Sequence, residues 1–235
     1  MNSIVIIPTY NEGQNIERLV VDILQSNPSL HILIIDDNSP DGTGSIIDRL
    51  SEQYKQIKNI HRDRKLGIGS AYIYGFKYAL DRKYDYIVTM DADLSHQPRF
   101  LPELLKEIQK YDVVIGSRYL NGDSIVNWSL YRRLLSKYGN RIAKNLLGLE
   151  FDDCTSGFRC YRGTVLNSIK LDKLISDGYA FHIEMLYLCN RLGYNISQIP
   201  IIFTDRTTGK SKISKKEIFK AVRLILKLKW DRLSA

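Results

Sequence analysis

Asp91 and Asp93 stand one residue apart at the end of an apolar run, YDYIVTMDADLSH from Tyr84 to His96. Two like charges at that spacing repel, so a positive partner is the natural reason to keep them together. A hard divalent cation fits such a pair, and Mg²⁺ in particular favours one or two carboxylates completed by substrate phosphates. Two further acidic positions follow apolar runs in the same way: Glu12 after SIVIIPTY and Asp36-Asp37 after HILII. The competing reading is that Asp91 and Asp93 are turn-formers, which aspartates often are after strands. The glycine-rich phosphate cradles do not match. TTGKSK has Thr204 where a Walker loop requires glycine, and KLGIGSAYIYG has Tyr72 where the dinucleotide fingerprint requires its third glycine. A phosphate ligand here is therefore held by metal, carboxylate and basic side chains.

The elements that must position these carboxylates are legible in the hydrophobic pattern. Ser3–Pro8, His31–Asp37, Ile57–His61, Tyr84–Met90 and Asp112–Ser117 read as strands, and YNISQIPIIF (194–203) as one or two more. Between them, helical spacing runs through Ile16–Leu24, Gly44–Tyr54, Ile68–Leu80 and Phe100–Gln109, then through Tyr131–Leu147, Phe181–Leu192 and Lys215–Trp230. Continuous apolar strands alternating with amphipathic helices predict an α/β fold, a mostly parallel Rossmann-like sheet flanked by helices. In such sheets ligands gather at the carboxyl ends of the strands, where all three acidic positions fall. If Asp91 and Asp93 continue the strand, residues i and i+2 point the same way and converge.

At 235 residues the chain suits one domain, with 44% hydrophobic and 26% charged residues arguing against disorder. The division expected is a catalytic domain over 1–214 and a basic amphipathic helix over 215–235. No secretory signal or membrane span is expected, because the apolar start stops at Pro8 and no run approaches the ~18 residues a span requires. Cys154, Cys160 and Cys189 are odd in number and form no CxxC pair, so free thiols in a reducing, cytoplasmic setting are expected. Net charge is +8, yet nine Lys or Arg against two acids lie from Lys210 onward, leaving the rest of the chain near neutral. A basic tail on a neutral body points to an anionic partner. A nucleic acid is one such partner, but no nucleic-acid motif accompanies the charge. In the last helix Ile218, Ala221, Val222, Ile225 and Leu228 form an apolar stripe, predicted either to lie on a membrane surface or to pack on the domain.

Nine segments in one order, IIPTYNE, DDNSPDGT, RKLGIGSAY, MDADLSH, GSRY, NWSLYRR, TSGFRCYR, GYAFHIE and DRTTGKSK, resemble the family-2 glycosyltransferases of GT-A fold. Within them the likeness is to the dolichol-phosphate or polyprenol-phosphate mannosyltransferases. PTYNE and a lone DxD mark many members; DDNSPDGT with DADLSH and TSGFRCYR narrows the match. The resemblance implies GDP-mannose as donor, a polyprenyl phosphate as acceptor, and Mg²⁺ or Mn²⁺ as cofactor. It implies that Pro8, Tyr10 and Glu12 hold the guanine nucleotide, with Ile35 and Asp37 completing the pocket. Asp91, Ala92 and Asp93 would lie along the diphosphate, Asp91 and Asp93 as metal ligands with Asp93 the chief one. Arg118, Arg132, Arg206 and Lys212 would contact phosphates or sugar, with Asp93, Arg118 and Arg132 closest to the chemistry.

The setting implied is peripheral, on the cytoplasmic face of a membrane, reached directly or through a separate anchoring subunit. Two positions depart from the family. Ser95 stands where some members carry a metal-binding Gln, and His182 stands where Gln is usual. His182 reads either as a satisfied core histidine or as a site residue. The rival within the fold is transfer of glucose or another sugar from a UDP donor.

Overall fold

The computed structural model describes residues 2–120, 124–174, 176–205 and 215–233, the final helix with side chains over 219–230. Its main sheet has seven strands in the order β3-β2-β1-β4-β7-β5-β8. These are β1 (Ser3–Thr9), β2 (His31–Asp36), β3 (Ile57–His61), β4 (Tyr86–Thr89), β5 (Val113–Ser117), β7 (Arg159–Arg162) and β8 (Ile196–Pro200). Two short strands, β6 (Ile125–Val126) and β9 (Phe203–Thr204), pair with each other beside it. The helices are α1 (Ile16–Ser26), α2 (Thr43–Gln53), α3 (Ile68–Asp81), α4 (Leu101–Glu107), α5 (Leu130–Leu147), α6 (Gly163–Ser168), α7 (Tyr179–Arg191) and α8 (Lys215–Leu233).

Alternation along β1 shows why the sheet is covered on both faces. Val5 and Ile7 join a core with α1, α2 and α4, whereas Ile4 and Ile6 join a second core with α3, α6 and α7. All four are buried, and each contributes on the order of 2 kcal/mol through the apolar surface it removes from water. The second core requires a close approach at Gly75 of α3, where an added Cβ would lie 2.6 Å from Ile6 Cγ2. Any larger residue there would push α3 off the sheet.

The parallel order is broken by β7, antiparallel to both β4 and β5. This strand was not expected, because RCYR carries two arginines where a buried strand should be apolar. Arg159 is fully buried all the same, its charge offset by the nearby Asp153 carboxylate. The 194–203 segment splits between β8 in the main sheet and β9 in the small one.

α5 buries Ala143 and Leu147, and α8 buries Leu224, Ile225 and Leu228, all in one cluster with residues of α7. The stripe expected on α8 therefore divides. Ile225 and Leu228 pack on the domain with Ala221 at their edge, Val222 is exposed, and the Ile218 side chain lies outside the described residues. Leu224, Leu226 and Phe219 make the helix apolar on more than one side. Exposed on α8 are Phe219, Val222, Leu226 and Trp230, and exposed on α5 are Leu130, Tyr131, Leu134, Tyr138 and Ile142.

Candidate active site

The ends of β1, β2 and β4 open into one cleft of about 360 Å³. Pro8, Tyr10, Glu12, Asp37, Asp91, Ala92, Asp93, Arg118 and Arg132 all line it, so most of the expected site residues meet. Ile35 does not line it: the side chain is fully buried in the α3 core, beside Gly75. Arg206 and Lys212 lie outside the described residues. Asp37 is already engaged. It pairs with the buried guanidinium of Arg62 and accepts the amides of Leu66 and Gly67 at 3.0 and 3.1 Å. That network shapes the 62–67 loop, whose Lys65 lies 3.8 Å over the Tyr10 ring. Glu12 is fixed at the other wall, its amide donating to Thr43 Oγ1 and one carboxylate oxygen accepting from Asn15.

Strand geometry does not bring Asp91 and Asp93 together, because β4 ends at Thr89. A bend instead leaves both on the cleft. Leu94 takes a left-handed φ of 63°, uncommon for a non-glycine residue, and turns the chain back. Ser95 closes the turn, its hydroxyl 2.5 Å and its amide 3.1 Å from Asp93 Oδ1. His96 holds the other side, its Nδ1 accepting the Asp91 amide at 3.0 Å. Since that nitrogen presents its lone pair to the amide, its 3.8 Å approach to Asp91 Oδ2 is not an ion pair. The two aspartates differ in consequence: Asp93 is buried, whereas Asp91 stays about one-third exposed. Ser95 thus takes the part of a positioning group for Asp93.

Both arginines arrive already anchored. Arg118, at the end of β5, donates to Asp153 through Nε at 2.7 Å and Nη2 at 2.6 Å, and to Thr155 at 2.7 Å. Burial opposes its charge, but the Asp153 carboxylate more than offsets this and holds its pKa above the ordinary guanidinium value. Arg132, in the first turn of α5, bonds both oxygens of Asp205 from Nη1 and lies 3.9 Å over the Trp128 ring. Its Nε is buried without a partner among the described residues. A fork held on one side presents the remainder in a fixed orientation, which suits recognition of phosphate oxygens.

Residues 4–169 match the family described as Glycosyl transferase family 2. This chain is a family 2 glycosyltransferase. The glycosyltransferase is 40% identical to an undecaprenyl-phosphate mannosyltransferase of Micrococcus luteus over 239 residues, covering 100% of this chain and 98% of that protein. It is 41% identical to a polyprenol monophosphomannose synthase of Mycolicibacterium smegmatis over 222 residues, covering 94% and 84%. Among solved structures it resembles the glucosyl-3-phosphoglycerate synthase of Mycobacterium tuberculosis in complex with Mn²⁺, UDP and phosphoglyceric acid. That TM-score is 0.68 at 19% identity, covering 97% of this chain and 78% of the other, a likeness of fold, GT-A.

Several residues of the glycosyltransferase's cleft were not anticipated. Lys65, Trp128, Thr155, Gly157 and Phe203 line it, and Asp153 organises it from behind. The signal for Asp153 was present as a DDC sequence beside the quoted TSGFRCYR, but nothing local pairs it with Arg118. His182 is no satisfied core histidine. It lines the cleft, and its buried Nδ1 has no partner among the described residues. Burial first, then the Arg159 and Arg118 charges, push its pKa well below the ordinary imidazole value. Gly157 gives it room, since a Cβ there would lie 3.0 Å from His182 Nε2 and 3.5 Å from Asp91 Oδ1. For a metal, the described residues offer no group of three or more His, Cys, Asp or Glu side chains. The donor set is the two hard carboxylates Asp91 and Asp93, which fits a cation completed by ligand phosphates rather than one held by protein alone.

Proposed function

We propose that this glycosyltransferase moves mannose from GDP-mannose to a polyprenyl phosphate, inverting the sugar to a β-mannosyl phospholipid. The observation that carries the reading is near-full-length identity of about 40% to two relatives named for mannosyl transfer to such lipids. The guanine nucleotide rests on the PTYNE and DDNSPDGT segments and on Tyr10, Glu12 and Asp37 lining one cleft.

The acceptor sets the chemistry. A phosphate monoester has its second pKa near ~6 and is an anion at neutral pH, so its oxygen attacks without a strong general base. His182, held neutral and weakly basic, is not required as one. The difficulty is instead the approach of two anions, and Arg118 and Arg132 offset it from fixed positions. Attack on C1 from the face opposite the leaving diphosphate forms the new C–O bond as the old one breaks, which inverts the α-linked donor. Asp91 and Asp93 are the residues that would hold Mg²⁺ or Mn²⁺, which supplies Lewis-acid stabilisation of charge on the departing GDP. Arg206 and Lys212 join the phosphate contacts in this reading.

A lipid acceptor places the work at a membrane surface, on the cytoplasmic side where nucleotide sugars and free thiols coexist. Among the described residues no helix is long and apolar enough to cross a membrane. The test is incubation of the full chain with radiolabelled GDP-mannose, Mg²⁺ or Mn²⁺ and a polyprenyl phosphate, followed by lipid extraction. Label in the lipid phase, competed by GDP and not by UDP, is expected. Equal or better transfer from UDP-glucose overturns the donor assignment.

A further inference from the structure

We infer that His182 binds the transferred hexose, its imidazole hydrogen-bonding a sugar hydroxyl in a seat that Gly157 leaves open beside Asp91. The inference rests on the nucleotide-sugar donor and assigns a contact to its sugar.

His182 is only 4% exposed, yet Nδ1 is sealed from solvent without a partner and Nε2 forms no hydrogen bond among the described residues. Buried polar groups are paired in the great majority of cases, so a buried imidazole that uses neither nitrogen on the protein points to a ligand. The ring lines the cleft and cannot turn away from it. It packs edge-on to Tyr72 and Phe181, with centroids 5.6 Å apart in each pair, and the residue's carbonyl accepts from Arg159 Nη1 at 2.7 Å.

Gly157 forms the opposite wall, its carbonyl accepting from Thr89 Oγ1 at 2.7 Å. It does not take a left-handed φ, so what glycine supplies here is space. A Cβ at this position would lie 3.0 Å from His182 Nε2 and 3.5 Å from Asp91 Oδ1, so one point of open space is within reach of both. A hydroxyl donates and accepts at once, which suits an imidazole on one side and a carboxylate on the other. A phosphate oxygen suits them less, since it brings no proton to either and is repelled by Asp91; Arg118 and Arg132 serve phosphate. Burial and the Arg159 and Arg118 charges keep the imidazole neutral, so it reads a hydroxyl rather than an anion. With the diphosphate along Asp91 and Asp93, the next group of the donor is the hexose.

Calorimetric binding of GDP and of GDP-mannose, with Mg²⁺ and without acceptor, tests this. His182→Leu removes both nitrogens and keeps most of the volume. Affinity for GDP-mannose should fall about tenfold while that for GDP changes less than about twofold. The melting temperature of the free protein should hold or rise, because an unpaired polar group gives way to an apolar one. Gly157→Ala narrows the same space from the other wall and should give the same selective loss. GDP-mannose analogues lacking one hydroxyl each identify the contact. One of them should bind the parent about tenfold more weakly than GDP-mannose and lose nothing further in His182→Leu. Unchanged GDP-mannose binding, equal losses for GDP and GDP-mannose, or analogues all weakened alike by the substitution overturns the contact. A melting temperature lowered together with both affinities does so too, and makes His182 a packing residue. A parent that binds UDP-glucose and not GDP-mannose counts instead against the proposed donor, and the same comparison on UDP and UDP-glucose then decides His182.

Discussion

At Asp93 position and chemistry separate cleanly, because the carboxylate is held by Ser95 and not by core packing. Asp93→Asn keeps an acceptor for Ser95 but loses the charge. The expected outcome is a kcat for mannosyl transfer reduced more than tenfold, at least ~1.4 kcal/mol, at an unchanged melting temperature. Turnover above a tenth of the parent's at saturating metal would remove Asp93 from the centre. His182 gives a second prediction, in stability. Its folded pKa lies below its unfolded value of 6.5, so between the two values the unfolded chain binds the proton and the folded one does not. Stability is therefore complete above about pH 6.5 and falls as pH drops below it, by at most about 1.4 kcal/mol per unit. Urea unfolding of metal-free protein at about pH 7.5 and about pH 5.5 should show this loss, and His182→Gln should reduce it. An identical pH slope in the variant would assign the loss to other groups.

Elements meet at Asp153, which is fully buried between Arg118 at the end of β5 and Arg159 on β7. Burial alone would raise its pKa; Arg118, by charge and hydrogen bonds, takes it below the carboxylate norm. Asp153→Asn leaves two buried guanidinium groups without that carboxylate, and a loss of about 3–5 kcal/mol in urea unfolding is expected. A loss below about 1 kcal/mol would mean that the pair is solvated in place. Asp153 is also where the sequence alone stops being legible. β1, β2 and β4 are built on apolar runs rich in Ile and Val whose neighbours in sequence announce them, and the three acidic strand ends follow from them. β7 has no such pattern, because its charge is neutralised by a residue that only the folded sheet brings near. The bend at Leu94 was hidden for a similar reason, since DADL reads as a continued strand until Ser95 and His96 are seen to turn it. On α8 the helical period is legible, but Phe219, Leu224 and Leu226 give the helix more than one apolar side, and only packing decides which is covered.

Over the whole molecule the three cysteines report on how completely the fold closes. Cys154, Cys160 and Cys189 are free and buried in different parts of the chain. Burial pushes Cys154 and Cys189 up to about 12, and Cys160 is raised as well. At about pH 8 a thiol of that kind is thiolate in roughly one molecule in ten thousand, so a disulfide-exchange reagent should leave all three unmodified until denaturant is added. Rapid reaction of one thiol in the native protein would locate an opening at that element. The order of the sheet has a last consequence, for synthesis. β4 and β5 are finished by Ser117, yet neither can pair across the gap between them until Arg162 has been made. At about 5–20 residues per second, the edges of β4 and β5 that face this gap stay open for several seconds after leaving the ribosome. Chains halted before β7 should aggregate or recruit chaperones more than those released beyond it, which makes translation speed between Ser117 and Arg162 a determinant of yield.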